Sequence, residues 1–447
     1  VDRVVTPQLR RPLSPQERWY WIADQLSPLN VVARVRLHGQ ISHDLLEAAA
    51  AALAAEYPVL RVAITTDADG TNPSFLPSAR PIDIRTVRGD DAEWQRQVDS
   101  YELATSLNWH TGPLVRIVHV AGNSGDVHDL VLTGSHIVAD GFTVIWLMFR
   151  LLEHADRLDR SPGDTQTISR SAVGAPEDRL PARYRGVRGI ARIASSVIAD
   201  GLATAITRPR RLRPETPVPA SQRRTRLLCR NLSGSQLDAL IGRCHAEGVT
   251  VTGALVAAMA MAIGPVVAQK DSGWIGITSP VDTRAAAVPP VPFDEAGAFV
   301  SSLTSIVRFG GGRDLWSIAQ QVNRSMRRRI RFGQHLAEQN AVRYVCPASL
   351  DTSDRAIRLM ERLGVTSNVC LTNVGRLDFL PARIGEWSLS GGQGAGSLSI
   401  GGYLMAAAGT VHGQLFWNFT YIDDVVSQPT AQKFADDAVA TLLDALD

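Results

Sequence analysis

The sequence predicts an α/β protein of two lobes, each a mixed sheet carrying helices. Three observations lead there. The chain has 447 residues, more than one ordinary core takes up, so two cores are expected. Short β-rich runs alternate with helical patterns from end to end, as in sheets covered by helices. That order of elements occurs twice, on either side of a stretch with many arginines and prolines. The lobes are therefore set at residues 1–160 and 225–447, with 161–224 as a linker or crossover segment.

In the first lobe, residues 31–38 alternate in part and read as a strand. Residues 42–57, rich in alanine and leucine, read as a helix with Ser42 as its N-cap and Pro58 marking its end. Strands follow at 60–65 and 114–120, then a turn at 122–126, an apolar strand at 130–135 and a largely buried helix over 142–152. The second lobe repeats the plan. It has a strand at 225–231, a helix over 233–247, an apolar helix from Thr250, strands at 274–281 and 301–309, and an arginine-rich helix that begins near Leu315 and takes in His335. Residues 249–267 have roughly the length that spans a bilayer, but their threonines and glycines read as a buried core helix.

Between the lobes, residues 183–206 place Ile190, Ile193, Val197, Ile198 and Leu202 at helical spacing, with Arg185, Arg188 and Arg192 nearby. Two readings stay open. The preferred one is a crossover helix packing one face on a lobe; the other is a basic amphipathic helix lying on a membrane surface.

Composition narrows the function classes. A hydrophobic content of 45% is that of a globular protein. A net charge of +2, with no basic repeat interleaved with aromatics, gives no reason to expect nucleic-acid binding. Cys229, Cys244, Cys346 and Cys370 have no metal-like spacing and read as reduced thiols. With no apolar secretory stretch in the first fifteen residues, the expected location is cytoplasmic.

The chemistry centres on His136. The apolar strand at 130–135 runs directly into it, a carboxylate follows at Asp140, and Gly141 lets the chain turn into the next helix. An imidazole where a sheet opens into a loop is placed to act as a general base. His110, His119, His128 and His412 lie on or near strands without metal-like spacing and read as exposed or backbone-bonded. Arg327, Arg328, Arg329 and Arg331 read as a solvated face, with docking of an acidic carrier protein or of coenzyme A phosphates as the alternative. The run Ser390-Gly391-Gly392-Gln393-Gly394-Ala395-Gly396-Ser397 reads as a flexible loop.

Ser135-His136-Ile137-Val138-Ala139-Asp140-Gly141 resembles the HHxxxDG signature of the chloramphenicol acetyltransferase-like superfamily, with Ser135 where many members carry the first histidine. Ser279-Pro280-Val281-Asp282-Thr283-Arg284 resembles the arginine-ending strand of its condensation-domain and polyketide-associated acyltransferase branches, and Gly297-Ala298-Phe299-Val300-Ser301-Ser302-Leu303 their G-x-F-V-N-T segment. Ser367-Asn368-Val369 and Asn373-Val374-Gly375-Arg376 are similar to the S-N-V and N-x-G-R patterns of the alcohol-acylating branch.

This resemblance implies two acetyltransferase-like lobes with a tunnel between them, and transfer of an acyl group from a thioester of coenzyme A or an acyl carrier protein to an alcohol. Amide formation and a noncatalytic recruitment module are the alternatives. It implies His136 as base, the Gly141 amide facing the developing oxyanion, and Asp140 paired with Arg284 to hold the motif in shape. Ser135, Ser301 and Asn373 are its motif neighbours, and Trp146, Phe299, Val300 and Met405 would contribute to an apolar wall. No metal and no redox cofactor is implied.

Overall fold

The computed structural model describes residues 8–123, 125–163, 169–171, 174–353, 357 and 369–446, and in it the first lobe is built outward from the strand Val127–Ser135. Both faces of this strand are covered. Leu130 and Leu132 enter a cluster with Leu46, Leu53, Leu147 and Leu151, while Val131, one residue out of phase, joins Val32, Val118 and Trp94 in a separate one. Antiparallel neighbours are Asn30–His38 and Val115–Gly122, and Asp83–Gly89 adds in parallel. The helices His43–Glu56 and Gly141–Arg160 bury their leucines in the first cluster. Ser42 and Asp140 cap them by accepting the amide protons of Leu45 and Thr143, at 3.1 and 2.8 Å.

The second lobe has its own sheet, ordered Val300–Gly310, Ser272–Asp282, Val369–Arg376, Leu404–Val411, Gln414–Ile422 and Thr225–Leu228, with Asn231–Leu232 also on Gln414–Ile422. The apolar helix Val251–Ala268 is buried against it, as a core helix should be. Gly264 permits that contact: a Cβ there would lie 2.5 Å from the Phe309 ring. A small third sheet joins Arg11–Pro12, Ser74–Pro77 and Val62–Thr65.

The two sheets do not divide the chain at one point. Trp387–Gly396, from the last third, inserts into the first sheet beside Asn30–His38, so the span 225–447 contributes to both lobes. The run from Ser390 to Gly396 is thus strand and not loop. Its glycines hide the alternation, and its register comes from a partner strand more than three hundred residues away, with an irregularity between Ser390 and Gln393. Asn418 of the second sheet donates to the Gly394 carbonyl at 3.0 Å and ties the lobes together.

The arginine-rich helix also differs from expectation. It ends at Arg331, and His335 belongs to the next helix, Gln334–Val345. Gly333 makes the break with φ of +68°, where a Cβ would collide with the Tyr184 hydroxyl. Arg329 does not face solvent: it is buried, donating to the Thr304 carbonyl and pairing with Asp200, both at 2.7 Å.

Candidate active site

The rung pairing Asn30 with Ser135 is the last in its register, and the His136 amide donates to the Leu29 carbonyl at 2.9 Å. The Ser135 carbonyl accepts from the Val138 and Ala139 amides at 3.0 and 3.2 Å, closing a tight loop. The three apolar residues inside the motif anchor that loop. Ile137 and Val138 bury with Trp21, Ile22 and Phe75, and Ala139 with the leucine cluster of the first lobe. The loop is therefore pinned from both sides, with His136 and Asp140 at its ends.

The His136 ring stacks on Tyr20, with centroids 4.5 Å apart and planes 25° from parallel. Tyr20 comes from the helix Pro15–Leu26, and its hydroxyl accepts from Gln16 Nε2 at 2.9 Å. Burial lowers the His136 pKa from the ordinary histidine value, against the opposing pull of the Asp140 charge and of the His136 and Ala139 backbone. The imidazole is thus neutral near pH 7. Its Nδ1 is shut in without a well-formed hydrogen bond. Burial pushes the Tyr20 phenol up to about 12, so it stays protonated.

Asp140 points elsewhere. Its Oδ2 lies 2.8 Å from Arg284 Nη1 and accepts from the Phe299 amide at 3.0 Å, while Oδ1 caps the helix Gly141–Arg160. Arg284 follows the strand Ser272–Asp282, so this ion pair joins the lobes. The guanidinium also donates to Thr143 Oγ1 at 2.8 Å and lies over the rings of Phe142 and Phe299. Burial would raise the Asp140 pKa, but Arg284 and the two amides overcome it and hold the carboxyl below its usual range.

Gly141 is the first residue of its helix and does not have a positive φ, so it is not a turn glycine. A Cβ there would meet only Val374 Cγ1, at an ordinary 3.5 Å. Ser135 is buried, and its Oγ accepts from the Ile137 amide at 3.4 Å. Ser301 and Asn373 bond away from His136. Ser301 Oγ donates to the His335 carbonyl at 2.6 Å, and Asn373 donates to Thr252 Oγ1 at 3.1 Å. Ser367 and Asn368 lie outside the described residues.

Of the wall candidates, Phe299 and Val300 sit beside the ion pair and near Gln16, which donates to the Val300 carbonyl at 2.7 Å. Trp146 instead belongs to the first-lobe core, donating to the Tyr57 hydroxyl at 2.8 Å, and Met405 packs against the second-lobe core. His119 and His128 are neither exposed nor only backbone-bonded: they are buried and bond each other at 2.8 Å. His412 bonds the carbonyls of Leu380 and Pro381. All four cysteines are free, and burial pushes Cys370 up to about 12. Among the described residues no three His, Cys, Asp or Glu side chains converge as a metal site requires.

The sequence reading missed the helix that carries Tyr20 and Gln16. Its signal was present in Ser14-Pro15-Gln16-Glu17, a capping box with proline at the first helical position.

Residues 220–382 match a family model described as phthiocerol/phthiodiolone dimycocerosyl transferase C-terminus. No curated protein matches the chain by sequence. Solved structures are similar over nearly its full length. Polyketide synthase associated protein 5 from Mycobacterium tuberculosis has 16% identity and a TM-score of 0.69, covering 98% of each chain. Trichothecene 15-O-acetyltransferase from Fusarium sporotrichioides has 13% identity and a TM-score of 0.73, covering 98% of this chain and 95% of that one. The first condensation domain of the calcium-dependent antibiotic synthetase, in complex with a substrate analogue, has 19% identity and a TM-score of 0.71, covering 98% and 97%. With the histidine motif at the junction of its lobes, the chain has the two-lobed fold of these solved structures.

Proposed function

We propose that this protein is an acyltransferase that moves an acyl group from a thioester to a hydroxyl acceptor, with His136 as general base. The observation that carries the reading is the setting of His136: an imidazole stacked on Tyr20, its pKa lowered by burial, four residues from the Asp140–Arg284 pair that joins the lobes. In the step envisaged, Nε2 takes the acceptor proton as its oxygen attacks the thioester carbonyl. The C–S bond then breaks, and the thiolate takes that proton from the imidazolium. A thioester is already activated, so no covalent enzyme intermediate is needed.

The surroundings support this division of labour. Asp140 is fully engaged with Arg284 and two amides and is not free to orient the imidazole. The Gly141 amide, first in its helix, has no intrahelical acceptor, and the absence of a side chain leaves it open to approach. It would stabilise the oxyanion. The similarity to a family model of an acyl-transferring enzyme and to structures of an acetyltransferase and a condensation domain agrees with the reading.

The test is acceptor-dependent thiol release from a panel of acyl-coenzyme A and acyl-carrier thioesters with mixed alcohols and amines, with products identified by mass. Ester formation is the expected result. Amide formation would move the protein to the condensation reading. Tight thioester binding without turnover across the panel would favour a recruitment module.

A further inference from the structure

The helix Gly186–Thr207 is packed inside out. The side turned to the protein, largely against the helix Gln334–Val345, consists of Gly189, Ile193, Ser196, Asp200, Ala203 and Thr207, which are mostly small or polar. The larger apolar residues face solvent, with Val187 83% and Ile206 80% exposed and Ile190, Val197, Ile198 and Leu202 all exposed. At about 100° per residue, Val187, Ile190, Ala194, Val197, Ile198 and Leu202 fall in one outward sector roughly 140° wide. Every other residue in that sector is alanine or glycine. Phe332 extends the apolar surface at 65% exposure.

We infer that this face docks on an anionic bilayer surface. The occupant is chosen by charge as well as by apolarity. Residues 181–213 hold eight arginines and one acid, Asp200, and that acid is already paired with Arg329 at 2.7 Å. By the same rotation Arg188 lies just past one edge of the apolar sector and Arg192 further round toward the protein, its guanidinium 4.9 Å from the centre of the Tyr184 ring. A hollow at that edge is lined by Arg192, Ser195, Arg328 and Phe332, with no acid among its lining residues. Such a border suits lipid phosphates, with the apolar sector entering the headgroup boundary.

The helix is long and apolar enough to cross a membrane, but its inner face holds it flat. Ser196 is buried against the protein and Asp200 bonds Arg329, so spanning would tear out an ion pair. A water-soluble partner would meet a wide charge-free sector bordered by cations on one edge, whereas a bilayer interface meets both at once. The inference is independent of the chemistry proposed for His136.

Vesicle flotation tests it, with phosphatidylcholine vesicles containing phosphatidylglycerol compared with phosphatidylcholine alone. The full chain is expected to float with the anionic vesicles and to release at high salt. The pairs Ile198→Glu/Leu202→Glu and Arg188→Glu/Arg192→Glu should each reduce the bound fraction about tenfold or more. Both pairs lie on exposed positions, and unchanged melting curves check that they fold. The inference fails if the wild-type chain does not float, or if it floats equally with both pairs. It also fails if sedimentation shows a dimer broken by Ile198→Glu/Leu202→Glu and no vesicle binding, which would make a second copy the occupant.

Discussion

Four residues apart, Asp140 and His136 have opposite surroundings. Asp140 is buried, paired with Arg284, bonded to two amides and set at the start of a helix. His136 has one aromatic neighbour stacked on its ring, a buried nitrogen without a regular partner and a depressed pKa. The contrast teaches that a histidine and a carboxylate in one short motif need not form a catalytic dyad. One end of the loop has its side chain fully bonded, while the other holds an imidazole with a buried nitrogen that has no regular hydrogen bond.

The contrast makes predictions that separate stability from rate. The largest effect is expected on removing one member of the buried pair. Asp140→Ala or Arg284→Ala should lose about 3–5 kcal/mol of unfolding free energy, read by denaturant titration. A double variant that removes both charges should recover part of that loss, and full additivity would break the claim that the two act as a unit.

His136→Ala should behave the other way. Its melting curve should stay close to wild type, while acceptor-dependent turnover falls about 10²–10⁴-fold, the range general-base catalysis supplies. An equal loss of stability in this variant would erase the distinction between the two ends. Tyr20 comes next. Tyr20→Phe keeps the stacked ring and should change turnover little. Tyr20→Ala removes a contact of about 0.5–1.5 kcal/mol, and turnover should fall about tenfold or less. The acid limb of its pH profile should also move up, because the imidazole becomes better hydrated. Identical profiles for the Phe and Ala variants would show that Tyr20 does not position His136.

What was legible in the sequence was local. The strand ending in His136, the helix capped by Ser42 and the buried helix after Thr250 each carry their period and caps within a short window. What was hidden depends on distant partners. Trp387–Gly396 looks like a glycine-rich loop until Asn30–His38 supplies its ladder. The stripe of Ile190, Ile193, Val197, Ile198 and Leu202 was plain, but a stripe does not say which way it faces, and here all of it but Ile193 faces out. For the site, the motif placed His136, yet nothing near it in sequence pointed to Tyr20, which meets it only because Pro15–Leu26 packs on Ile137 and Val138.

The central claim is that His136, held neutral by burial, takes the acceptor proton. Because its folded pKa lies below the unfolded value, the neutral form persists as pH falls, until the pH passes through the lowered value. The same shift makes the folded state lose stability once pH drops below the ordinary histidine pKa of about 6.5. The most direct measurement is therefore acceptor-dependent thiol release against pH, for wild type and His136→Ala. The account predicts a wild-type acid limb with its midpoint below about 6.5, and a low profile without that limb in the variant. A variant that keeps both the rate and the limb would contradict it and assign the base to another group.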